Sequence, residues 1–315
     1  MKIVFFGSPA AALPSLEALI GAGHSIGLVV TQPDKPAGRG RRLVPSAVKA
    51  FAAARGIPVI EPAKIRVDEA ARERIVAAGP DVNIVVAYGQ IIPRAVHYFP
   101  PRHSLNVHFS LLPIYRGAAP VQWTVLNGDA ESGVTVIELN DRMDEGDILA
   151  QERVAVGPRE TARALEARLA ALGAALLVRT LARLDEIVPV PQDDAKASLA
   201  PKIRKEDGRI AWSDTAAGID RRVLALADRP GVFTSIGGRR VNILGGRASD
   251  PQARPVPGEA ARPGTVLRVG KPGIEVACGA ATSYLIEELR PEGRGAMSAY
   301  AFSLGTKLAP GDYLG

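Results

Sequence analysis

"MKIVFFGSPAAALPSLEALIGAGH", residues 1–24, admits two readings, and the choice between them decides the fold. As a secretory leader it fails: the first apolar run is short, and Pro9, Pro14 and Glu17 interrupt the residues after it. As the opening of an α/β sheet it works. Ile3 to Phe6 supply a strand, Gly7 a turn, and residues 12–22 a helix.

The same alternation continues outward from this unit. "IGLVV" (26–30) precedes an amphipathic stretch near 45–55, and "IPVI" (57–60) precedes a charged helix at 68–78. "VNIVVAYG" (82–89) and an apolar strand at 104–108 come next. Strand and helix in alternation imply a parallel sheet covered by helices. Residues 161–184 read as a long helix closing the domain, with Thr161 as its N-cap. At "EIVPVPQDDAKASLAPKIRKEDG" (186–208) periodicity stops and prolines, charges and small residues take over, as in a linker. Beyond it, short segments such as "GVFTSIG", "RRVNILGG" and "GIEVACG" alternate with Gly and Pro turns, the pattern of a small β-barrel. The expected fold class is therefore α/β. A Rossmann-like, mostly parallel sheet with helices on both faces spans 1–189, a linker 190–205, and a small OB-like β-barrel domain 206–315.

Composition narrows the function classes. The chain has 315 residues and a formal net charge of +6, which favours an anionic partner. Its single cysteine, Cys278, excludes an internal disulfide framework and suits a reducing compartment. Four histidines, at 24, 97, 103 and 108, do not suit a His-rich metal site, and no metal is expected. No run approaches the ~18 uninterrupted apolar residues of a membrane span, so a soluble cytoplasmic protein is the expectation. The turn "FFGSPAAALPS" offers one glycine where a dinucleotide fold wants G-x-G-x-x-G, and no Walker lysine motif occurs.

Two stretches hold the candidate chemistry. "TQPDKPAGRGRRLVPS" (31–46) leaves the carboxyl end of the second strand and gathers Lys35, Arg39, Arg41 and Arg42. It reads either as a solvated loop or as a grip on phosphates, placed at the edge where open α/β sheets bind ligands. "SLNVHFSLLP" (104–113) sets Asn106 and His108 two apart, on one face of a strand that ends at a proline. Either they satisfy each other in a core or they meet a ligand. "DRMDEGDIL" (141–149) crowds Asp141, Asp144, Glu145 and Asp147 into a turn whose spacing misses a calcium loop. An Asp- and Gly-rich hairpin explains most of them, yet one carboxylate could reach His108. An imidazole oriented by a carboxylate suits general base work, and an asparagine amide suits a developing oxyanion. Together they would make an acyl-transfer site without a covalent nucleophile.

These residues carry a resemblance. "SLNVHFSLLPIYRGAAPVQW" with "GVTVIELNDRMDEGDIL" after it is similar to the formyltransferase family that uses 10-formyltetrahydrofolate. The basic loop and the C-terminal β segments resemble its branch acting on methionyl initiator tRNA. The likeness runs from "KIVFFGSP" through "VVAYGQIIP" to "AMSAYAFSLGTKLAPGDYLG". It implies a catalytic trio at Asn106, His108 and Asp144, with 10-formyltetrahydrofolate as cosubstrate. It implies a folate pocket formed by Ser110, Leu111, Leu112 and Pro113, lined as well by Val86, Ala87, Tyr88, Gly89, Gln90 and Ile91. It also implies tRNA contact at Arg39 and its basic neighbours, and at Lys205, with the C-terminal domain assisting and the chain a monomer. Two departures stand out. Phe109 occupies a normally small position, and strand alternation should turn it away from His108. "LADRPGVFT" lacks a tryptophan common in relatives. Rival readings are a formyltransferase acting on an amino sugar nucleotide, which one sugar nucleotide's charge does not reconcile with so basic a loop, a purine-pathway relative, and a non-catalytic RNA-binding protein.

Overall fold

Burial of both faces explains the first strand. In a computed structural model that describes residues 1–37, 42–249 and 261–315, β1 (Lys2–Gly7) has Ile3, Val4, Phe5 and Phe6 fully buried, as a strand of a parallel sheet requires. The chain continues through α1 (Leu13–Gly21), β2 (Ser25–Val30), the hairpin strands β3 (Lys35–Ala37) and β4 (Arg42–Val44), and α2 (Ala47–Ala53). Then come β5 (Val59–Ile60), α3 (Glu69–Ala77), β6 (Val82–Val86), α4 (Arg94–His97), β7 (Ser104–His108) and β8 (Arg116–Gly117). After α5 (Pro120–Asn127), β9 (Glu131–Glu138) and β10 (Ile148–Ala155) form a hairpin, and α6 (Ala162–Ala182) and β11 (Leu199–Ala200) complete the series. Helix starts are set chemically: Ser46 and Asp68 accept from the backbone N–H three residues on, capping α2 and α3.

Seven of these strands make one sheet in the order β10-β9-β7-β6-β1-β2-β5. From β5 to β7 the pairs are parallel; β9 runs antiparallel to β7, and β10 to β9. The order reverses between β1 and β6, so the carboxyl ends of the central strands frame a crevice, the usual ligand position in such sheets. Gly173, inside α6, lets the helix approach: a Cβ there would lie 2.8 Å from Val107 and 3.5 Å from Phe109. Phe109 thus packs on the α6 side with Val107, opposite Asn106 and His108, as strand alternation demands.

The described residues divide into two compact units, one of residues 1–121, 130–156 and 164–201, the other of 122–129, 157–163 and 202–315. Residues 190–201, expected as linker, therefore pack within the first unit. They do so through specific pairs: Val190 bridges Ile148, and β11 runs parallel to β8.

In the second unit, α7 (Ala216–Leu226) precedes β12 (Val232–Ile236), β13 (Arg239–Ala248), β14 (Val266–Gly270), β15 (Gly273–Ala277), β16 (Ser283–Pro291), β17 (Met297–Ser298) and α8 (Ala299–Thr306). Its antiparallel order is β12-β13-β16-β15-β14. Gly237 and Gly238, at φ +56° and +74°, make the tight β12–β13 turn that two left-handed residues allow. The chain's end then joins the outer strands, since Tyr313 bridges Thr265 and Leu314 bridges Ile236. Among the described residues no helix is long and apolar enough to cross a membrane.

Candidate active site

β7 delivers Asn106 and His108 to one face, 8% and 6% exposed. The third member arrives by an indirect route. β9 ends at Glu138, which pairs with Leu105, well before His108 along β7. To reach the imidazole, the 139–147 turn folds back across the sheet face. Gly146 makes that possible, because a Cβ there would stand 1.6 Å from the Glu138 carbonyl oxygen. Asp144 takes φ +57°, in the left-handed region that Asp tolerates better than most residues.

The result is a convergent trio. Asn106 Nδ2 donates to Asp144 Oδ1 at 3.3 Å, and the backbone N–H of Gly117 donates to Oδ2 at 2.9 Å. His108 Nδ1 lies 3.7 Å from the same Oδ2. On its other side, His108 Nε2 lies 2.9 Å from the carbonyl oxygen of Tyr115. A carbonyl only accepts, so Nε2 carries a proton, and Nδ1 is the ring nitrogen left to exchange one. Nδ1 is the nitrogen that faces the Asp144 carboxylate. Asn106 keeps a second amide hydrogen beyond the one given to Asp144. The site thus offers a proton acceptor and a hydrogen-bond donor side by side.

The 110–113 stretch is fixed by residues that sequence reasoning did not single out. Thr135 Oγ1 donates to the Ser110 carbonyl at 2.7 Å and accepts from the Leu112 N–H at 3.1 Å. Gln151 Nε2 donates to the Leu112 carbonyl and to Thr135 Oγ1, both at 2.9 Å. The one available signal was Thr135 itself, a hydroxyl in the apolar run "GVTVIEL". Gly133, on the same strand, leaves the space that Leu111 fills, a Cβ there falling 2.4 Å from Leu111 Cδ2.

The expected folate-lining residues separate into two groups. Val86, Tyr88, Ser110 and Leu112 are buried, so they belong to the packing beneath the crevice. Tyr88 packs edge-on against Phe6 with ring centroids 5.5 Å apart, and burial pushes its phenol well above the usual range. Gln90 is half-buried and committed to the 62–65 loop: it accepts from Ile65 N–H at 3.0 Å and donates to the Pro62 carbonyl at 2.9 Å. Ala87, Gly89 and Ile91 are exposed, while Leu111 and Pro113 are intermediate. Gly89, at φ +78°, admits Gln32, whose Nε2 donates to the Tyr88 carbonyl at 2.8 Å.

Of the basic candidates, Lys35 donates to Gln32 Oε1 at the base of the β3–β4 hairpin. Arg39 and Arg41 lie outside the described residues, and Arg42 opens β4. Within the stretch expected as a basic loop, Lys35–Ala37 and Arg42–Val44 pair as short antiparallel strands. Lys205 is exposed in the second unit, before the short 3-10 turn Glu206–Gly208.

Comparison with known proteins keeps the same division. Residues 1–181 match the family described as formyl transferase, and residues 202–307 match the formyl transferase C-terminal domain. A methionyl-tRNA formyltransferase of Anaeromyxobacter dehalogenans is 43% identical over 309 residues, 98% of this chain and 97% of that protein. One of Thiobacillus denitrificans is 43% identical over 316 residues, covering both chains in full. Among solved structures, an N-formyltransferase from Helicobacter canadensis in complex with folinic acid and dTDP-3-aminofucose shares the fold at TM-score 0.64. It is 19% identical, over 91% of this chain and 98% of that one. A methionyl-tRNA formyltransferase from Clostridium thermocellum does so at TM-score 0.55 and 16% identity, over 81% and 95%.

Proposed function

We propose that this chain, which belongs to the formyl transferase family, moves a formyl group from 10-formyltetrahydrofolate to the α-amine of methionyl initiator tRNA. The product is N-formylmethionyl-tRNA, used to start translation. The observation that carries the activity is identity of 43% over essentially the full length of both chains. The residue roles rest on the trio's geometry.

In this reading the amine attacks the formyl carbon, the C–N bond to folate breaks, and the amine's proton must reach the departing folate nitrogen. His108 Nδ1 takes that proton and returns it, with Asp144 stabilising the charged ring between the two events. The remaining N–H of Asn106 faces the oxygen that becomes negative in the tetrahedral intermediate. The amine is itself the nucleophile, so no Ser or Cys need supply one. The exposed Ala87, Gly89 and Ile91 of the 86–91 loop, with the partly exposed Leu111 and Pro113, hold the folate, and the buried members of both stretches support them. Lys35, Arg39, Arg41, Arg42 and Lys205 meet tRNA phosphates, to which cationic side chains bind at a strength that falls with salt. A cytoplasmic location, where those substrates are found, completes the reading.

The test is product formation from 10-formyltetrahydrofolate with two acceptors side by side, initiator methionyl-tRNA and a dTDP-amino sugar. Formylation of the tRNA alone is expected. Formylation of the sugar alone would move the chain to the other acceptor class, and formylation of neither would remove the activity.

A further inference from the structure

The turn that carries Asp144 is gripped by a residue 48 positions later in the chain. Gln192 Nε2 donates to the carbonyl of Asp144 at 2.8 Å and to that of Gly146 at 2.7 Å. Its Oε1 accepts from Arg116 Nε at 3.0 Å. This network fixes the amide's orientation by itself. Carbonyls only accept and a guanidinium only donates, so the flipped amide would oppose like groups at all three contacts. Arg116 is nearly fully buried; its fork also meets Asp194 at 2.7 Å and Glu145 at 3.7 Å. The adjoining Gly117 N–H already holds the Asp144 carboxylate. Residues 116–117 and Gln192 therefore close around the turn from two sides, one holding its carboxylate and the other its backbone.

Such a clamp suits the strained geometry it surrounds. Asp144 is in the left-handed region, and the Gly146 backbone lies against the Glu138 carbonyl. A residue in such a conformation persists when its surroundings over-determine it. We infer that Gln192 is a positioning residue for formyl transfer: it holds the 144–146 backbone so that the Asp144 carboxylate faces Asn106 and His108. The inference rests on the formyl-transfer reading of this site and deepens it. The amide of Gln192 is spent on Arg116 and the turn's two carbonyls, so it acts on the imidazole only through Asp144.

Steady-state kinetics of the full chain with 10-formyltetrahydrofolate and initiator methionyl-tRNA test this, using wild type, Gln192→Ala, Gln192→Glu, Asp144→Asn, and Asp144→Asn combined with Gln192→Ala. Gln192→Glu keeps the length and the acceptor for Arg116 but has no N–H to give. Both Gln192 variants should lose about 10- to 100-fold in kcat, the scale of a small misplacement at a reacting centre, with KM for each substrate within about threefold of wild type. On the Asp144→Asn background, Gln192→Ala should cost less than about threefold more, because the carboxylate it positions is already gone. Three results would overturn the role: kcat within about twofold of wild type for Gln192→Glu, a loss confined to KM, or the full loss repeated on Asp144→Asn. A Gln192→Glu chain that does not fold would overturn it too, making the residue a general strut. A wild-type chain inactive on this substrate pair would instead remove the underlying reading and leave the clamp's role in that chemistry void.

Discussion

Residues 104–113 and residues 190–201 both touch the Asp144 turn, and they reach it by opposite routes. The first stretch carries its chemistry in residue type and spacing: an amide and an imidazole two apart on a buried strand share one face. The second has no period and a composition of Pro, Asp, Ala and Ser, yet Gln192, Asp194 and Ser198 are each bonded to β8, to the residue before it or to the turn. A strand's two-residue repeat makes local neighbours predictable. Hydrogen bonds between segments distant in sequence leave no such mark. The difference teaches where to look for reacting groups and where to look for what holds them.

The comparison breaks if the strand residues are inert. His108→Ala should lower single-turnover formyl transfer by about 10²–10⁴-fold, since the imidazole is the trio's proton acceptor beside Asp144. A near-normal rate would return His108 to the core as a packing residue tied to the Tyr115 carbonyl. Asn106→Ala should cost about 10²–10³-fold, the usual loss for one oxyanion donor. Because its amide also donates to Asp144, Asn106→Asp is a useful companion. It keeps the size, removes the donor and sets two carboxylates together, so it should be at least as slow as the alanine variant.

How far the sequence carried the fold is explained by the same physics. β1, β2, β6 and β7 and the long α6 fall within a few residues of the runs that foretold them, because burial and periodicity are local properties. The β3–β4 hairpin was not legible, since its strands are short and proline and glycine mask their alternation. In the site, Asn106 and His108 were visible from spacing. The choice of Asp144 among four acidic residues came from resemblance, because a turn's geometry decides which carboxylate folds over the sheet. Tyr88 and Leu112 show the converse. Adjacency to a crevice in sequence did not reveal that their side chains point inward.

Gly146 sharpens the comparison at the point where the two segments meet. A Cβ there would stand 1.6 Å from a backbone oxygen, so Gly146→Ala must displace the turn. We expect destabilisation on the order of 1–3 kcal/mol and a loss in kcat of about 10- to 100-fold. Urea unfolding and turnover, measured together, check it; an alanine chain with wild-type kcat would mean the turn can move without consequence. Thr135→Val comes next. It keeps the shape but leaves the buried Ser110 carbonyl and Leu112 N–H without their hydroxyl partner, a cost of about 1–3 kcal/mol. If 110–113 forms part of the folate wall, KM for the folate should rise about 3- to 10-fold, equivalent to roughly 1 kcal/mol of binding. An unchanged kcat at saturating folate is expected, and an unchanged KM would take this stretch out of the pocket.

Cys278 gives the smallest effect and the cleanest contrast. A lone cysteine in a sequence invites a reactive role, yet here the residue is buried in the second unit, its thiol donating to the Val276 carbonyl at 3.4 Å. Burial pushes the thiol up to about 12. At pH 8 the reactive thiolate fraction is then on the order of 10⁻⁴, because each unit below the pKa removes tenfold. The native chain should resist a thiol reagent such as 5,5′-dithiobis(2-nitrobenzoate) at pH 8 and react stoichiometrically once unfolded in urea. Cys278→Ala should leave kcat and both KM values within about twofold, since thiolate chemistry is the only reactive role its residue type offers. Rapid labelling of the native chain would show that the second unit opens far more readily than its packing implies. Loss of turnover in the alanine variant would show that residue type alone had pointed to chemistry that placement concealed.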